Sequence, residues 1–280
     1  MTQPEVVVLS GVRTAVGDFG GGLKDKPPTE LAAAVTREAI KRANISPDDI
    51  GHVVFGNVIH TDAHDMYLSR VAAVNAGIPV ETPAFTLNRL CGSGLQAIVS
   101  AAQTIYMGDT KVAAAGGAEV MSRSPYWAQN ARWGVRMGDG KLIDVMVGAL
   151  SDPFDDCHMG VTAENVADKW GITRQQQDEL ALQSHQRALA AIKSGYFKEQ
   201  ILPIESKVKG QTVVFDTDEH PKDTTLEKLA KLRPAFKGDG TVTAGNASGI
   251  NDAAAAVVLM EANEAQQRGL KPMGRLVAYA

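Results

Sequence analysis

The chain has 280 residues, 44% of them from the apolar set, and a net charge of −4. That length exceeds one compact core and suits two. The acidic balance excludes an extended nucleic-acid footprint, and no run approaches the roughly 20 apolar residues of a membrane span.

The N-terminus, MTQPEVVVLSGVRTA, has no positive n-region and only a short apolar run, so it reads as a first strand over Glu5–Ser10. A soluble cytoplasmic protein is therefore expected. A helix should cover Thr29–Ala43 after Pro27-Pro28, with Thr29 as its N-cap. HVVFGNVI predicts a strand over His52–Ile59, followed by a helix over Tyr67–Ala76 that stops near Gly77. Ala84–Asn88 reads as a short strand, Gly92–Met107 as a long apolar helix, and Lys111–Ala115 as a buried strand ending at Gly116-Gly117. Strands alternating with helices of this length imply βαβ crossovers and an α/β fold on a mixed, mostly parallel sheet.

After Met121 the rhythm breaks into a stretch rich in Gly, Arg, Met and Trp. Thr173 and Gln176 form a capping-box signature for a further helix, on which Leu182, Leu189, Ile192 and Tyr196 share a face before Gly195 stops it. TAGNASGINDAAAAVVLME then returns to the buried-strand style. Residues 121–245 thus read as an inserted loop domain within one core domain built from 1–120 and 246–270. GRLVAYA resembles the opening EVVVLSG, so 271–280 reads as the start of a second core domain that is otherwise missing.

Of the two cysteines, neither belongs to a CxxC, the six histidines are scattered, and no metal site is expected. A disulfide is not needed in a chain of this size. Cys91, in TLNRLCGSGLQAI, falls between a strand end and a helix start. Ligands of α/β sheets bind at the carboxyl ends of strands, and a helix N-terminus favours a thiolate. Gly92 and Gly94 leave the backbone open to a bulky thioester. The alternative is a small, buried and inert thiol. Position and neighbours alone leave both readings open.

NRLCGSGLQAI resembles the nucleophile segment of thiolases, the acetyl-CoA acetyltransferases and 3-ketoacyl-CoA thiolases. VRTAVGDFGGGLKD, GGAEVMSRSPY, HMGVTAENVA and LRPAFKGDGTVTAGNASGINDAAAAVV agree in order and spacing, so the resemblance covers essentially the whole chain. In detail it is similar to the biosynthetic type and to bacterial β-ketothiolases. The resemblance implies a thiolase fold and an acyltransferase that moves acyl groups between acetyl-CoA and other acyl-CoA thioesters, with no separate cofactor. Cys91 would carry the acyl group as an acyl-cysteine, and its backbone N–H would form half of an oxyanion hole. His158 and Met159 would lie along the pantetheine arm. Ser248 would hydrogen-bond the pantetheine chain, while Ala244 and Phe236 would line the CoA channel; Leu150 is a weaker carry-over.

RWGVRMGDG, at 132–140, matches a region of subunit contacts, which implies a homotetramer or at least a homo-oligomer. GDFGGGL lacks GK[ST], so it is a tight turn and not a phosphate cradle. Pro221-Lys222 stands where related enzymes often place an arginine for the nucleotide end of CoA; a lysine brings charge without the planar fork. The family's NEAFA, GHP and CGGG-like segments, which supply an Asn, a catalytic His and a second Cys, do not occur in these 280 residues. The expectation is that this chain alone turns over little, general acid–base groups contributing about 10²–10⁴-fold each. A ketoacyl synthase relative would share the fold and the cysteine, but HMGVTAENVA and TAGNASG fit thiolases better. A catalytically inactive CoA- or partner-binding fragment is the alternative from another class.

Overall fold

The computed structural model describes residues 4–208 and 211–280. The first half alternates as the apolar pattern requires: β1 Val6–Arg13, β2 Gly17–Asp18, α1 Pro28–Arg42, β3 His52–Gly56, α2 Leu68–Asn75, β4 Ala84–Leu87, α3 Ser93–Tyr106 and β5 Val112–Val120. Between β5 and the next strand of the main sheet lie β6 Tyr126–Ala128, β7 Leu142–Asp144, α4 Val145–Ala149, α5 Met159–Trp170, α6 Arg174–Lys193, β8 Ile204–Val208, β9 Gln211–Phe215 and α7 Leu226–Ala230. The chain then returns through β10 Asn251–Glu261, α8 Ala262–Gln267 and β11 Gly274–Arg275.

The main sheet has seven strands in the order β11-β1-β10-β5-β3-β4, with β2 paired to β10 beside β1. β3 is parallel to β4 and β5, whereas β10 is antiparallel to β1, β2 and β5, and β11 to β1. Strands β1 to β5 therefore share one direction, and only β10 and β11 oppose it. The sheet is mixed and mostly parallel in direction, as the sequence implies.

Alternation along the strands loads both faces. Val7, Val53, Phe55, Val112, Ala114 and Met260 pack with α1 and α2, whereas Val6, Val54, Ala113, Ala115 and Leu259 pack with Ala97, Ala101, Ala102 and Ile105 of α3. The α3 interface is made mostly of alanine, so helix and sheet approach closely.

Three local expectations need correction. Thr29 does not cap α1: it is buried one residue inside the helix, and Pro27 holds the cap position without a side-chain bond. The Pro27-Pro28 pair explains this, because proline fixes φ and loses nothing at N1, where the N–H has no helical partner. The helix expected over Tyr67–Ala76 begins instead with a 3-10 turn, Ala63–Tyr67, set by an Asp62–Asp65 capping box. Gly116-Gly117 does not end β5, which runs on to Val120. A Cβ at Gly116 would collide with the Ala255 carbonyl and sit 2.7 Å from the Phe55 ring, so glycine there makes room inside the sheet.

Other expectations hold. The Thr173–Gln176 capping box forms, Gly77 and Gly195 adopt φ of +91° and +73°, and GDFGGGL turns sharply, with Gly21 N–H donating to the Asp18 carbonyl at 2.8 Å. On α6, Leu182, Leu189 and Ile192 are half-buried, but Tyr196, beyond the helix, is exposed.

Candidate active site

Cys91 sits in the turn between β4 and α3. Leu90, just before it, is held at φ +46°, a left-handed conformation that costs a branched side chain energy. The turn is over-determined. Ser93 Oγ accepts the Arg89 N–H at 2.8 Å and donates to the Leu90 carbonyl at 2.6 Å, while Leu90 N–H donates to Asn88 Oδ1 at 2.9 Å. Arg89 itself reaches Gln96 Oε1 at 3.0 Å, tying the loop to the first turn of α3. Underneath, a Cβ at Gly56 would lie 2.7 Å from Ser93 Cβ, so only glycine at the end of β3 lets the helix start settle there. The result is a thiol presented at a helix N-terminus on a stiff mount. Cys91 is exposed, not packed into the core as the inert alternative required, and both cysteines are free thiols.

Beside Cys91 opens a cleft of about 430 Å³ walled mainly by apolar and small residues. Val58, Ile59, Leu90, Met121 and Leu150 form its sides, and Gly117 and Ala254 its sheet floor. Of the residues expected to touch substrate, Leu150 shares this cleft with Cys91; the others do not line it.

Leu150, His158, Met159 and Phe236 nevertheless form one group. The Leu150 carbonyl accepts the Met159 N–H at 2.8 Å, and the His158 ring stacks on Phe236 with centroids 4.8 Å apart. His158 Nδ1 accepts the Gly160 N–H at 3.0 Å, capping α5. A Cβ at Gly160 would strike the Phe236 ring, so the glycine is what allows the stack. Ala244 and Ser248 are exposed on the neighbouring segment, linked to Phe236 because Ala235 N–H donates to the Val242 carbonyl at 2.9 Å.

Buried carboxylates fix this segment. Glu164 of α5 accepts the Val242 N–H at 2.7 Å and the Thr241 N–H at 2.9 Å, and Asn246 binds Asp178 Oδ1 at 2.9 Å. Those bonds hold the Glu164 carboxyl below its usual range against the opposing effect of burial. Lys222 is committed elsewhere: its Nζ lies 2.5 Å from Asp18 Oδ2, and that bond is the main cause of the lowered Asp18 pKa.

Sequence reasoning missed Glu119, Asn57 and Glu164. Glu119 lines the Cys91 cleft, and burial pushes its carboxyl up to about 7 against the N–H bonds it accepts. The signal was present: one charge inside the small, apolar run VAAAGGAEVM. Asn57 and Glu164 carry no comparable mark, since their partners lie 62 and 77 residues away in the chain.

The comparisons with known proteins agree with this geometry. Residues 6–263 match the family model described as thiolase, N-terminal domain. A protein of Cupriavidus necator named beta-ketothiolase is 67% identical over 277 residues, covering 98% of this chain and 70% of that protein. An acetyl-CoA acetyltransferase of Syntrophomonas wolfei is 51% identical, with 99% and 70% covered. The crystal structure of the Bacillus anthracis acetyl-CoA acetyltransferase superposes with a TM-score of 0.95 at 47% identity, covering 98% of this chain and 70% of that one. Human mitochondrial 3-ketoacyl-CoA thiolase in complex with CoA gives 0.93 at 42%, covering 98% and 69%. With an exposed cysteine at a helix N-terminus, the matched fold and this level of identity, the chain belongs to the thiolase family.

Proposed function

We propose that Cys91 is the acyl acceptor of a thiolase reaction between coenzyme A thioesters. The Cys91 thiolate attacks the thioester carbonyl, a new S–acyl bond forms, the bond to the CoA sulfur breaks, and CoA leaves as a thiolate that takes up a proton. In the synthetic direction a second acetyl-CoA gives an α-proton to a general base, its carbanion forms the new C–C bond to the acyl carbon, and the S–acyl bond breaks to release the Cys91 sulfur as a thiolate. A thioester intermediate keeps the acyl carbon electrophilic and divides one hard displacement into two easier ones. The observation that carries the reading is the exposed thiol on a strained, fully braced turn, beside an apolar cleft of about 430 Å³.

In this reading the Cys91 backbone N–H contributes to an oxyanion hole, His158, Met159 and Ser248 meet the pantetheine arm, and Phe236 and Ala244 line the CoA channel. Leu150 bridges the two regions, because it lies in the cleft and binds Met159 through its backbone. No cofactor beyond the thioesters is needed. Residues 1–120 with 246–270 act as one core and 121–245 as an inserted unit. A cytoplasmic homotetramer completes the proposal, with exposed Trp127, Trp133 and Met137 on its assembly face.

The test is an intact mass spectrum before and after mixing with acetyl-CoA. One acetyl group on wild type, absent from Cys91→Ser, is expected. An unmodified Cys91 in folded protein would overturn the acyl-acceptor role.

A further inference from the structure

β3 ends at Gly56; Asn57 N–H still donates to the Leu87 carbonyl of β4 at 3.1 Å, and beyond it the Val58 and Ile59 N–H groups have no strand partner. Those two N–H groups and the Asn57 side chain meet at one carboxylate. Glu119 Oε2 accepts the Val58 N–H at 2.8 Å, and Oε1 accepts the Ile59 N–H at 3.0 Å and the Asn57 amide at 3.1 Å. Asn57 is 1% exposed, and its amide also donates to the Ala118 carbonyl at 2.9 Å, closing the loop onto β5. Val58, Ile59 and Glu119 all line the cleft that holds Cys91. The carboxylate thus stands at the hinge between the sheet and one apolar wall of the cleft.

On the reading of Cys91 as acyl acceptor, we propose that Glu119 is a positioning residue for substrate size. Its carboxylate holds Val58 and Ile59, with the buried Asn57 beside them, as a wall of the Cys91 cleft and so sets how bulky an acyl group the thiol accepts. An acyl chain on the Cys91 sulfur has to fit that cleft, and its fit depends on how firmly Val58 and Ile59 are held. Hydrogen bonds to an ionised acceptor are roughly twice as strong as those to a neutral one. The wall is therefore firmest when Glu119 is a carboxylate and loosens when it is protonated.

Charges around Glu119 leave it as the responsive group. Asp65, on the 3-10 turn behind it, raises its pKa further. Arg13 of β1 lines the same cleft but is engaged by Asp218 at 2.7 Å, and Asp252 of β10 is bonded to the Ser122 N–H at 2.9 Å. Arg123 is taken up by Thr61 and Asp62, and His60, beside Ile59, is exposed.

The test labels the full chain with methyl, butyl and hexyl methanethiosulfonate. Each transfers its S-alkyl group to the cysteine thiolate, forming a disulfide and releasing methanesulfinate, and peptide mass spectrometry separates Cys91 from Cys157. The ratio of hexyl to methyl rates cancels the thiolate fraction and reports the cleft alone. In wild type the ratio should rise between about pH 6 and about pH 8. In Glu119→Gln it should be flat with pH and lower by about fivefold at the upper pH, the loss of about one hydrogen bond. Glu119→Asp keeps the charge but falls a methylene short; it should lower the ratio too, and it serves if the glutamine variant does not fold.

An unchanged ratio in a folded variant, or equal slowing of every chain length, would overturn the proposal and leave Glu119 a stabilising residue only. A wild-type ratio flat with pH would also overturn it. Acetylation by acetyl-CoA is scored separately: its absence refutes the acyl-acceptor reading, whereas acetylation with an unmoved ratio refutes only the role of Glu119.

Discussion

Consider Glu164→Gln. Glu164 is 2% exposed, and its two oxygens collect three donors from the segment that leads into Ala244 and Ser248: Thr241 N–H, Thr241 Oγ and Val242 N–H. Glutamine keeps one acceptor oxygen. If that oxygen takes the Oε1 place, it keeps the Val242 and Thr241 N–H groups, but the new NH₂ stands where Oε2 shared the Thr241 N–H. One half of a shared bond is lost and the remaining bonds become neutral, a cost of about 1–2 kcal/mol. If the segment opens locally, amide protection at Thr241 and Val242 should fall about 5- to 30-fold. Native-state hydrogen exchange read by mass spectrometry over 235–250 checks this, and protection in α1 should stay unchanged.

The pH dependence gives a second handle on the same variant. The Glu164 carboxyl lies below its ordinary value of 4.5. Its contribution is therefore complete above that value and is lost as pH falls through the lower folded value. The gap between wild type and variant should close in acid. Gly240→Ala should copy the loss at neutral pH, because its Cβ would displace Glu164 Oε1. Equal protection in wild type and Glu164→Gln would refute the claim that this carboxylate holds the segment.

Gly56→Ala would place a Cβ 2.7 Å from Ser93 Cβ and 2.8 Å from its carbonyl carbon. The α3 start must then move, at about 1–3 kcal/mol, and acetylation of Cys91 should fall by about 10- to 100-fold in mass-spectrometric time courses. Thr173→Ala removes the side-chain acceptor of the Gln176 N–H and should cost about 1 kcal/mol, seen as faster exchange confined to the first turn of α6. Glu119 has its carboxyl raised from 4.5 to about 7, so the folded state holds its proton more tightly than the unfolded chain does. The stabilisation is present below 4.5 and lost as pH rises through about 7, at most about 3 kcal/mol, and Glu119→Gln should lack it. Urea midpoints at about pH 5 and about pH 8 test this, and parallel shifts in both proteins would refute it.

The sequence was most legible where one local rule decides the outcome. Short apolar runs placed β1, β3 and β5, and the Thr173–Gln176 pair placed the start of α6, because each depends on neighbours within a few residues. Gly116 was misread as a terminator because its reason is long-range: the Phe55 ring and the Ala255 carbonyl occupy the space of a side chain. Thr29 was misread because a general cap preference yielded to two prolines. The neighbours of Cys91 in the chain drew attention to it but left both readings open; its expected role, like those of His158, Met159 and Phe236, came from resemblance. The His158–Phe236 stack, across 78 positions, leaves no local trace.

Two kinds of support meet at this site, and they answer pH differently. The Cys91 turn is fixed by shape, with glycine at 56 and the Ser93 hydroxyl inside the turn, and neither of those groups titrates near neutrality. The walls and flanking segments are fixed by carboxylates that accept backbone N–H groups. At Asp218 the Arg13 bond overcomes burial, and at Glu164 the Thr241 and Val242 bonds do, with a small share from Lys237, so both pKa values fall and the anchors survive into acid. Glu119 accepts three donors as well, but burial raises its carboxyl more than those bonds lower it, Asp65 adds slightly to the rise, and its anchor weakens close to neutrality. Ordinary pH then softens the wall beside the thiol, while the mount of the thiol and the Ala244–Ser248 segment keep their form.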